Sequence, residues 1–246
     1  MMSWLKHPRC FLDEPEFTPG QIDLSTEEGR HLNRVRRVGQ GSPVRVLNGR
    51  GQVGLALLQK IDRDKITLEL QKVITVEELC PRLTLVIGSL KQSAWDEVLK
   101  HAVELGVNRI IRVQTERSVA EIQAAKENRK RKRWRECMIE AIKQSGNPWL
   151  PELILCAGVD AVFGVLEPGC VQLLAGMEDD PRAVSEVVAS NRPSPIALWI
   201  GPEGDFTPAE RESILGQGAE LIHLGGRVLR AETAALSLLS YLRLCR

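Results

Sequence analysis

The sequence has almost no surplus of charge of either sign. Its 33 Lys and Arg stand against 32 Asp and Glu, a formal net charge of +1, so no overall field marks it as a binder of polyanions and any nucleic-acid site must come from local clustering. Paired or metal-spaced cysteine is missing as well. Cys10, Cys80, Cys137, Cys156, Cys170 and Cys245 are scattered with no C-x-x-C or Cys/His spacing, which argues against a bound metal and a disulfide framework and points to a reducing, cytoplasmic setting. There is no apolar run of the roughly 18 residues that a membrane helix needs. The start MMSWLKHPRC lacks the apolar core of a signal peptide, so the expectation is a protein that neither spans nor crosses a membrane. GxGxxG and GK[S/T] are also absent, which argues against a nicotinamide or triphosphate site.

What is present falls into two rhythms. The 246 residues, 43% of them hydrophobic, suffice for two modest domains or one large one. Across 42–70 the apolar residues alternate, Val44 and Val46, then Ile66, Leu68 and Leu70, a period of two that predicts strands. Asn48-Gly49-Arg50-Gly51 and Asp62-Arg63-Asp64-Lys65 lie between the runs and have the composition of hairpin turns. This predicts a small β-barrel-like domain over 1–72. Near its start, STEEGRHLNRVRRV opens on Ser25 with Glu28 three positions later, the pattern of a capping box at the head of a short basic helix. After Pro81 short apolar runs alternate with amphipathic stretches (LTLVIGSL, DEVLKHAVELG, RIIRVQ, KRWRECMIEAIKQSG), and further runs follow at 153–156, 171–174, 196–200 and 221–224. That is α/β patterning with about six strands in a mostly parallel sheet, over 73–246. The only strong charge block, ENRKRKRWR, reads first as the solvated face of a long helix and only secondarily as a nucleic-acid stripe.

Two glycine loops carry the functional signal. In IALWIGPEGDFTPAERESILGQG a buried strand turns through Gly201-Pro202-Glu203-Gly204 into a helix with Thr207 at the N-cap, Pro208 at N1 and Glu210 closing a capping box. A second strand, 221–224, ends in Gly225-Gly226-Arg227-Val228-Leu229-Arg230-Ala231-Glu232-Thr233 before the final helix. Glycine loops between strand ends and helix starts are where α/β proteins bind ligands, because bare backbone with free amides can approach the ligand closely. Either loop alone reads as well as a plain tight turn.

IGPEGDFT, LGGRVLRAETAAL, KHAVELGV, ERSV, EAIKQSGNPWLPEL and the amino-terminal RHLNRVRRVGQG together resemble the RsmE family of 16S ribosomal RNA (uracil-N3) methyltransferases, along nearly the whole chain. The resemblance implies a SPOUT-type α/β domain with a deep carboxy-terminal trefoil knot, preceded by a PUA-like β-barrel that binds RNA, and a homodimer acting on 16S rRNA or the small ribosomal subunit with no metal. It implies S-adenosylmethionine held by Leu174, Ala175 and Gly176, by Gly201, Pro202, Glu203 and Gly204, and by Leu224, Gly225, Arg227, Val228, Leu229 and Arg230. Val228 and Leu229 read alternatively as ordinary core. For the chemistry, Arg230 could stabilise a uracil anion and Glu232 take a proton, with Glu203 and His223 behind them. Arg230 and Glu232 could equally pair with each other or cap the last helix, and His223 could be structural. RNA contacts are expected at Arg30, His31, Arg34, Arg36, Arg37, Lys91 and Arg117. Four positions depart from the family pattern: Lys143 for Glu and Asn147 for Arg, which together remove a charge pair, Asp205 for Gly, where it is read as opening a helix, and Ala231 for Thr. Action on another RNA position and a silent RNA-binding assembly protein are the competing functions.

Overall fold

The computed structural model describes residues 7–25, 28, 32, 38–62, 65–119, 124–176, 182–190 and 195–244, for 124–127 and 188–190 as backbone only. They form two units, one running up to Glu78 and taking in Ile139–Leu150, the other comprising Leu79–Met138 and the chain from Pro151 onward.

In the first unit the alternating segments pair as β1 (Arg9–Phe11), β2 (Gly20–Leu24), β3 (Pro43–Leu47), β4 (Gln52–Ile61) and β5 (Ile66–Thr75), in the order β1-β3-β4-β5-β2. Ile66, Leu68 and Leu70 turn inward with Val44, Val46 and Leu58, as the period of two requires. Register shifts in β4 at Leu55/Ala56 and Leu58/Lys60 bend the two long strands. The predicted turn joins β3 to β4. Asn48 Oδ1 accepts the Arg50 and Gln52 amides at 2.8 and 3.0 Å, and Gly49 and Gly51 take φ of 72° and 89°, which only glycine adopts cheaply.

The sequence reading places everything after 72 in one contiguous domain, whereas Ile139–Leu150 packs with the first unit. The reason is local packing on the hairpin turn. Trp149 pairs with Arg50 as an isolated bridge, lies where a Cβ on Gly51 would come within 2.2 Å of its ring, and donates its indole N–H to the Val76 carbonyl at 3.0 Å.

The capping box at Ser25 is half formed. The Glu28 amide donates to Ser25 Oγ at 3.4 Å, but the Glu28 carboxylate accepts the Phe11 amide at 3.1 Å and Lys143 Nζ at 2.6 Å instead. A buried cation outcompetes the local amide, since charged hydrogen bonds are the stronger ones. Lys143 also pairs with Glu140 at 2.6 Å, and its side chain is 5% exposed. The charge at this departure from the family pattern is therefore matched by two carboxylates. Asn147 closes a turn, its Oδ1 accepting the Trp149 amide at 3.0 Å. Lys143→Met is expected to destabilise by about 2–3 kcal/mol in urea unfolding, below the usual cost of breaking a buried pair because both carboxylates keep some solvent. Burial opposes the Lys143 charge, but hydrogen bonds to Glu140 and Glu28 outweigh it and raise the pKa above 10.5. A raised folded-state pKa means that this contribution is complete below the unfolded value and lost as pH rises through the folded one. The difference between wild type and Lys143→Met should thus be flat from neutral pH upward and shrink only above 10.5.

The second unit is a seven-stranded, wholly parallel sheet of β6 (Leu83–Gly88), β7 (Arg109–Val113), β8 (Glu152–Cys156), β9 (Val171–Ala175), β10 (Arg182–Ala183), β11 (Ile196–Ile200) and β12 (Glu220–His223). Their order is β10-β12-β9-β11-β6-β7-β8. Six match the predicted runs; the seventh, β10, has two residues and is too short to show a period. Helices α1 (Gln92–Glu104), α2 (Ala124–Ser145), α3 (Val159–Phe163), α4 (Val184–Ser190), α5 (Pro208–Gly216) and α6 (Ala231–Leu244) complete the unit, with the end of α2 from Ile139 onward in the first unit. The five residues of β11 are all buried, as expected of a strand covered on both faces. One face packs Trp199, Val86 and Ile111 against Phe206 and Ile214. On the other, α6 lies against α1, β6 and β11 and buries Ala235, Leu238, Leu239 and Leu242, so its apolar stripe is used within the chain. Arg243 anchors its end, donating to the carbonyls of Pro81 and Gly106 and to Asn108 Oδ1, each at 2.7 Å. No described helix is long and apolar enough to cross a membrane.

Candidate functional site

All strands run in parallel, so the loops after β9, β11 and β12 leave the same edge of the sheet. β9 lies between β12 and β11; the chain leaving β11 runs through α5 to β12 on its far side, and the chain leaving β12 enters α6, which lies back against β11. The two connections thus pass β9 in opposite directions and enclose a crevice outside the carboxyl ends of the strands, where α/β proteins bind ligands. A cleft with a cavity volume of about 160 Å³, open to solvent, lies there.

Of the thirteen residues expected to hold a cofactor, Ala175, Gly176, Gly201, Pro202, Glu203, Leu224, Arg227, Val228 and Leu229 line the cleft. Leu174, Gly204, Gly225 and Arg230 do not. Leu174 points to the opposite face and packs in the core with Trp199, as strand alternation next to Ala175 dictates. Gly204 faces Arg117, whose Cβ would lie 3.1 Å from a Cβ built there. Val228 is 84% exposed, which excludes the core reading for it. Ile200, Asp205, Ala231 and Ala234 also line the cleft and were not among the residues expected to hold the cofactor. The AETAA run held a signal for the last two, small residues three apart at a helix start.

The loop after β11 is tightly built. Pro202 packs on the end of β6, where a Cβ on Gly88 would lie 2.5 Å from Pro202 Cδ. Glu203 Oε1 accepts the Lys91 amide at 3.2 Å. Asp205 does not open the helix: it has φ of 59°, the only positive value among described non-glycine residues. Its Oδ1 accepts the Phe206 amide and its Oδ2 pairs with Arg211, both at 2.8 Å, bonds that offset the cost of a left-handed aspartate. Thr207 then caps α5, accepting the Glu210 amide while Glu210 accepts the Thr207 amide, and Glu210 also accepts the Glu116 amide at 2.9 Å.

Arg230 and Glu232 flank Ala231 at the head of α6. Arg230 is exposed and Glu232 half-buried. They form no ion pair with each other among the described residues, and the Arg230 carbonyl accepts the Ala234 amide at 2.8 Å. His223 Nδ1 receives the Gly225 amide at 3.3 Å, a turn contact outside the cleft wall. Lys91 and Arg117 are exposed beside the 201–204 loop, and Arg117 Nη1 donates to the Gly204 carbonyl at 3.3 Å. Arg30, His31, Arg34, Arg36 and Arg37 lie outside the described residues. In the basic block of α2, Trp134 is buried, Arg133 pairs with Asp96 and Lys132 with Glu136. Cys10, Cys80, Cys137, Cys156 and Cys170 are free thiols. Among the described residues no three His, Cys, Asp or Glu side chains converge as metal ligands would.

The profile of the RNA methyltransferase domain matches residues 77–243, and that of the RNA methyltransferase PUA domain matches 24–71. Ribosomal RNA small subunit methyltransferase E of Synechocystis is 31% identical over 87% of this chain and 69% of its own length. The Bacillus subtilis protein of that name is 28% identical over 92% and 94%. Among solved structures, a putative methyltransferase of Legionella pneumophila in complex with bound SAM superposes with a TM-score of 0.87 at 28% identity, covering 98% of both chains. Ribosomal RNA small subunit methyltransferase E of Neisseria gonorrhoeae, bound to S-adenosylmethionine, does so with 0.86 at 26% identity over 96% of both.

Proposed function

This chain belongs to the RNA methyltransferase family that includes ribosomal RNA small subunit methyltransferase E, and we propose that it methylates N3 of a uridine in 16S ribosomal RNA using S-adenosylmethionine. The observation that carries the reading is the cleft, where nine of thirteen expected residues meet at the ends of β9, β11 and β12. Its walls suit this cofactor. Ile200, Leu224 and Leu229 offer apolar surface for a purine, the Gly201 backbone and the Gly176 carbonyl offer polar groups for its edge, and Glu203 brings negative charge toward a cation. When bound, S-adenosylmethionine supplies an electrophilic methyl group on a positively charged sulfur.

The chain's own part is to make N3 of uracil a nucleophile. The neutral imide is a poor one, so a base must take the N3 proton and a cation must stabilise the resulting anion. We assign the proton to Glu232 and the anion to Arg230, on the strength of their position either side of Ala231, which lines the cleft. Arg227 is the cation already on the cleft wall and is the alternative to Arg230. Lys91 and Arg117, exposed beside the 201–204 loop, would hold RNA phosphates near the cleft, and the PUA domain with Arg30, His31, Arg34, Arg36 and Arg37 would hold flanking RNA. A cytoplasmic location follows from a ribosomal substrate. The trefoil knot and a homodimer belong to the same reading, and exposed Val228 at the cleft rim is apolar surface that a second copy could cover.

Nucleoside mass spectrometry of small-subunit RNA from a strain lacking this protein should show 3-methyluridine lost, then restored by the wild-type chain. An unchanged amount would sink the uracil-N3 assignment. Calorimetric S-adenosylmethionine binding with no change in 3-methyluridine would favour a methyltransferase acting at another position, and no binding at all would favour the silent assembly protein.

A further inference from the structure

Arg112, on β7, is 3% exposed, and among the described residues no carboxylate pairs with it. Its guanidinium lies against two buried indoles, 4.8 Å from the Trp95 ring and 5.0 Å from the Trp134 ring, which themselves meet edge-on at 5.6 Å, and burial lowers its pKa to about 10. Both indole Nε1 atoms are buried without a hydrogen-bond partner, so the cage does not serve to satisfy polar groups. Apolar side chains that fill such a space are commonly as stable as a buried charge or more so, and core stability alone gives no reason for an arginine here.

The polar bonds of Arg112 indicate the reason. Nε donates to Ser89 Oγ at 3.1 Å and Nη2 to the Leu90 carbonyl at 3.4 Å, both in the turn between β6 and α1. The next residue is Lys91, whose amide is the one that Glu203 Oε1 accepts on the cleft wall. The Lys91 carbonyl accepts the Trp95 amide at 2.9 Å and so starts α1, which has no side-chain cap. The turn is held from the core side by Arg112 and presents its amide to the cleft side.

We propose that Arg112 is a positioning residue for the cleft, holding the 89–91 turn so that the Lys91 amide fixes the orientation of the Glu203 carboxylate. The inference rests on the methyltransferase reading for what Glu203 then meets. It differs from a purely structural role in one respect, because its effect must pass through Glu203.

The test uses the full chain with Arg112→Met, which fills the cage without donors, and Ser89→Ala, each alone and with Glu203→Ala. Arg112→Met should keep the wild-type Tm, raise the Kd for S-adenosylmethionine by about tenfold, and lose that effect to within about twofold when Glu203 is already alanine, the signature of coupled residues. Ser89→Ala should weaken binding by about threefold, one hydrogen bond's worth. Wild-type binding by Arg112→Met, or an equal loss in the Glu203→Ala background, overturns the proposal. If Arg112→Met fails to fold, Ser89→Ala decides, and wild-type binding there counts against it. If the wild-type chain binds no S-adenosylmethionine, the function reading falls separately. Hydrogen exchange at the Lys91 amide then tests the inference, with about tenfold faster exchange in Ser89→Ala expected and unchanged protection overturning it.

Discussion

Replacing Gly88 by alanine is expected to raise the Kd for S-adenosylmethionine by about 30- to 100-fold, a loss near 2–3 kcal/mol, although Gly88 is not on the cleft wall. A Cβ at this position would lie 2.5 Å from Pro202 Cδ, 2.6 Å from Pro202 N and 2.9 Å from Pro202 Cβ. All three atoms belong to the rigid pyrrolidine ring, and one of them is the backbone nitrogen, so no flexible side chain can give way. Gly88 cannot retreat either, because it pairs with Val113 at the end of β6. The 201–204 loop must therefore move, and strain of this kind costs about 1–3 kcal/mol. Gly216→Ala is the control, since a Cβ there meets nothing within 4 Å; it should bind as wild type and be equally or more stable. Calorimetric titration with parallel thermal unfolding makes the comparison. Wild-type affinity in a folded Gly88→Ala chain would show that the Pro202 contact does not shape the cleft.

The largest loss of stability is expected from Trp199→Ala. Trp199 is fully buried in the middle strand, its ring 5.5 Å from Phe163 and 6.4 Å from Phe206, and its indole N–H is accepted by Gln172 Oε1 at 3.0 Å. Truncating a buried tryptophan costs about 3–5 kcal/mol in transfer and cavity terms. Gln172 also loses a partner. In a chain of this size that corresponds to a Tm about 10 °C lower, and the loss should extend to the cleft because the 201–204 loop continues directly from β11. Trp199→Phe, which keeps a ring against both phenylalanines, should recover more than half of it in calorimetric unfolding. A Trp199→Ala loss under about 1 kcal/mol would mean that β11 does not organise the core.

The strands and the α5 cap were legible because their signals are local. Ile66, Leu68 and Leu70 alternate, IALWI is apolar throughout, and Thr207, Pro208 and Glu210 stand at fixed offsets from a helix start, so a few neighbouring residues carry the information. The two glycine loops were legible for the same reason, and so were nine of the cleft residues. Glu28 was misread by the same local logic. Its spacing from Ser25 suits a capping box, but its carboxylate bonds Lys143, 115 residues away, and no window of sequence contains both.

The cleft at the ends of β11 and β12 thus has two origins. The sequence by itself determined the strand ends, the glycines and the cap, because each depends on backbone conformations that neighbouring residues permit or forbid. Long-range packing set which of those residues face the cleft, that Pro202 rests on Gly88, that Asp205 is held left-handed by Arg211, and that Arg112 packs against two indoles behind the Lys91 turn. Those facts depend on which strand lies beside which, and that order is set by burying the whole apolar surface at once.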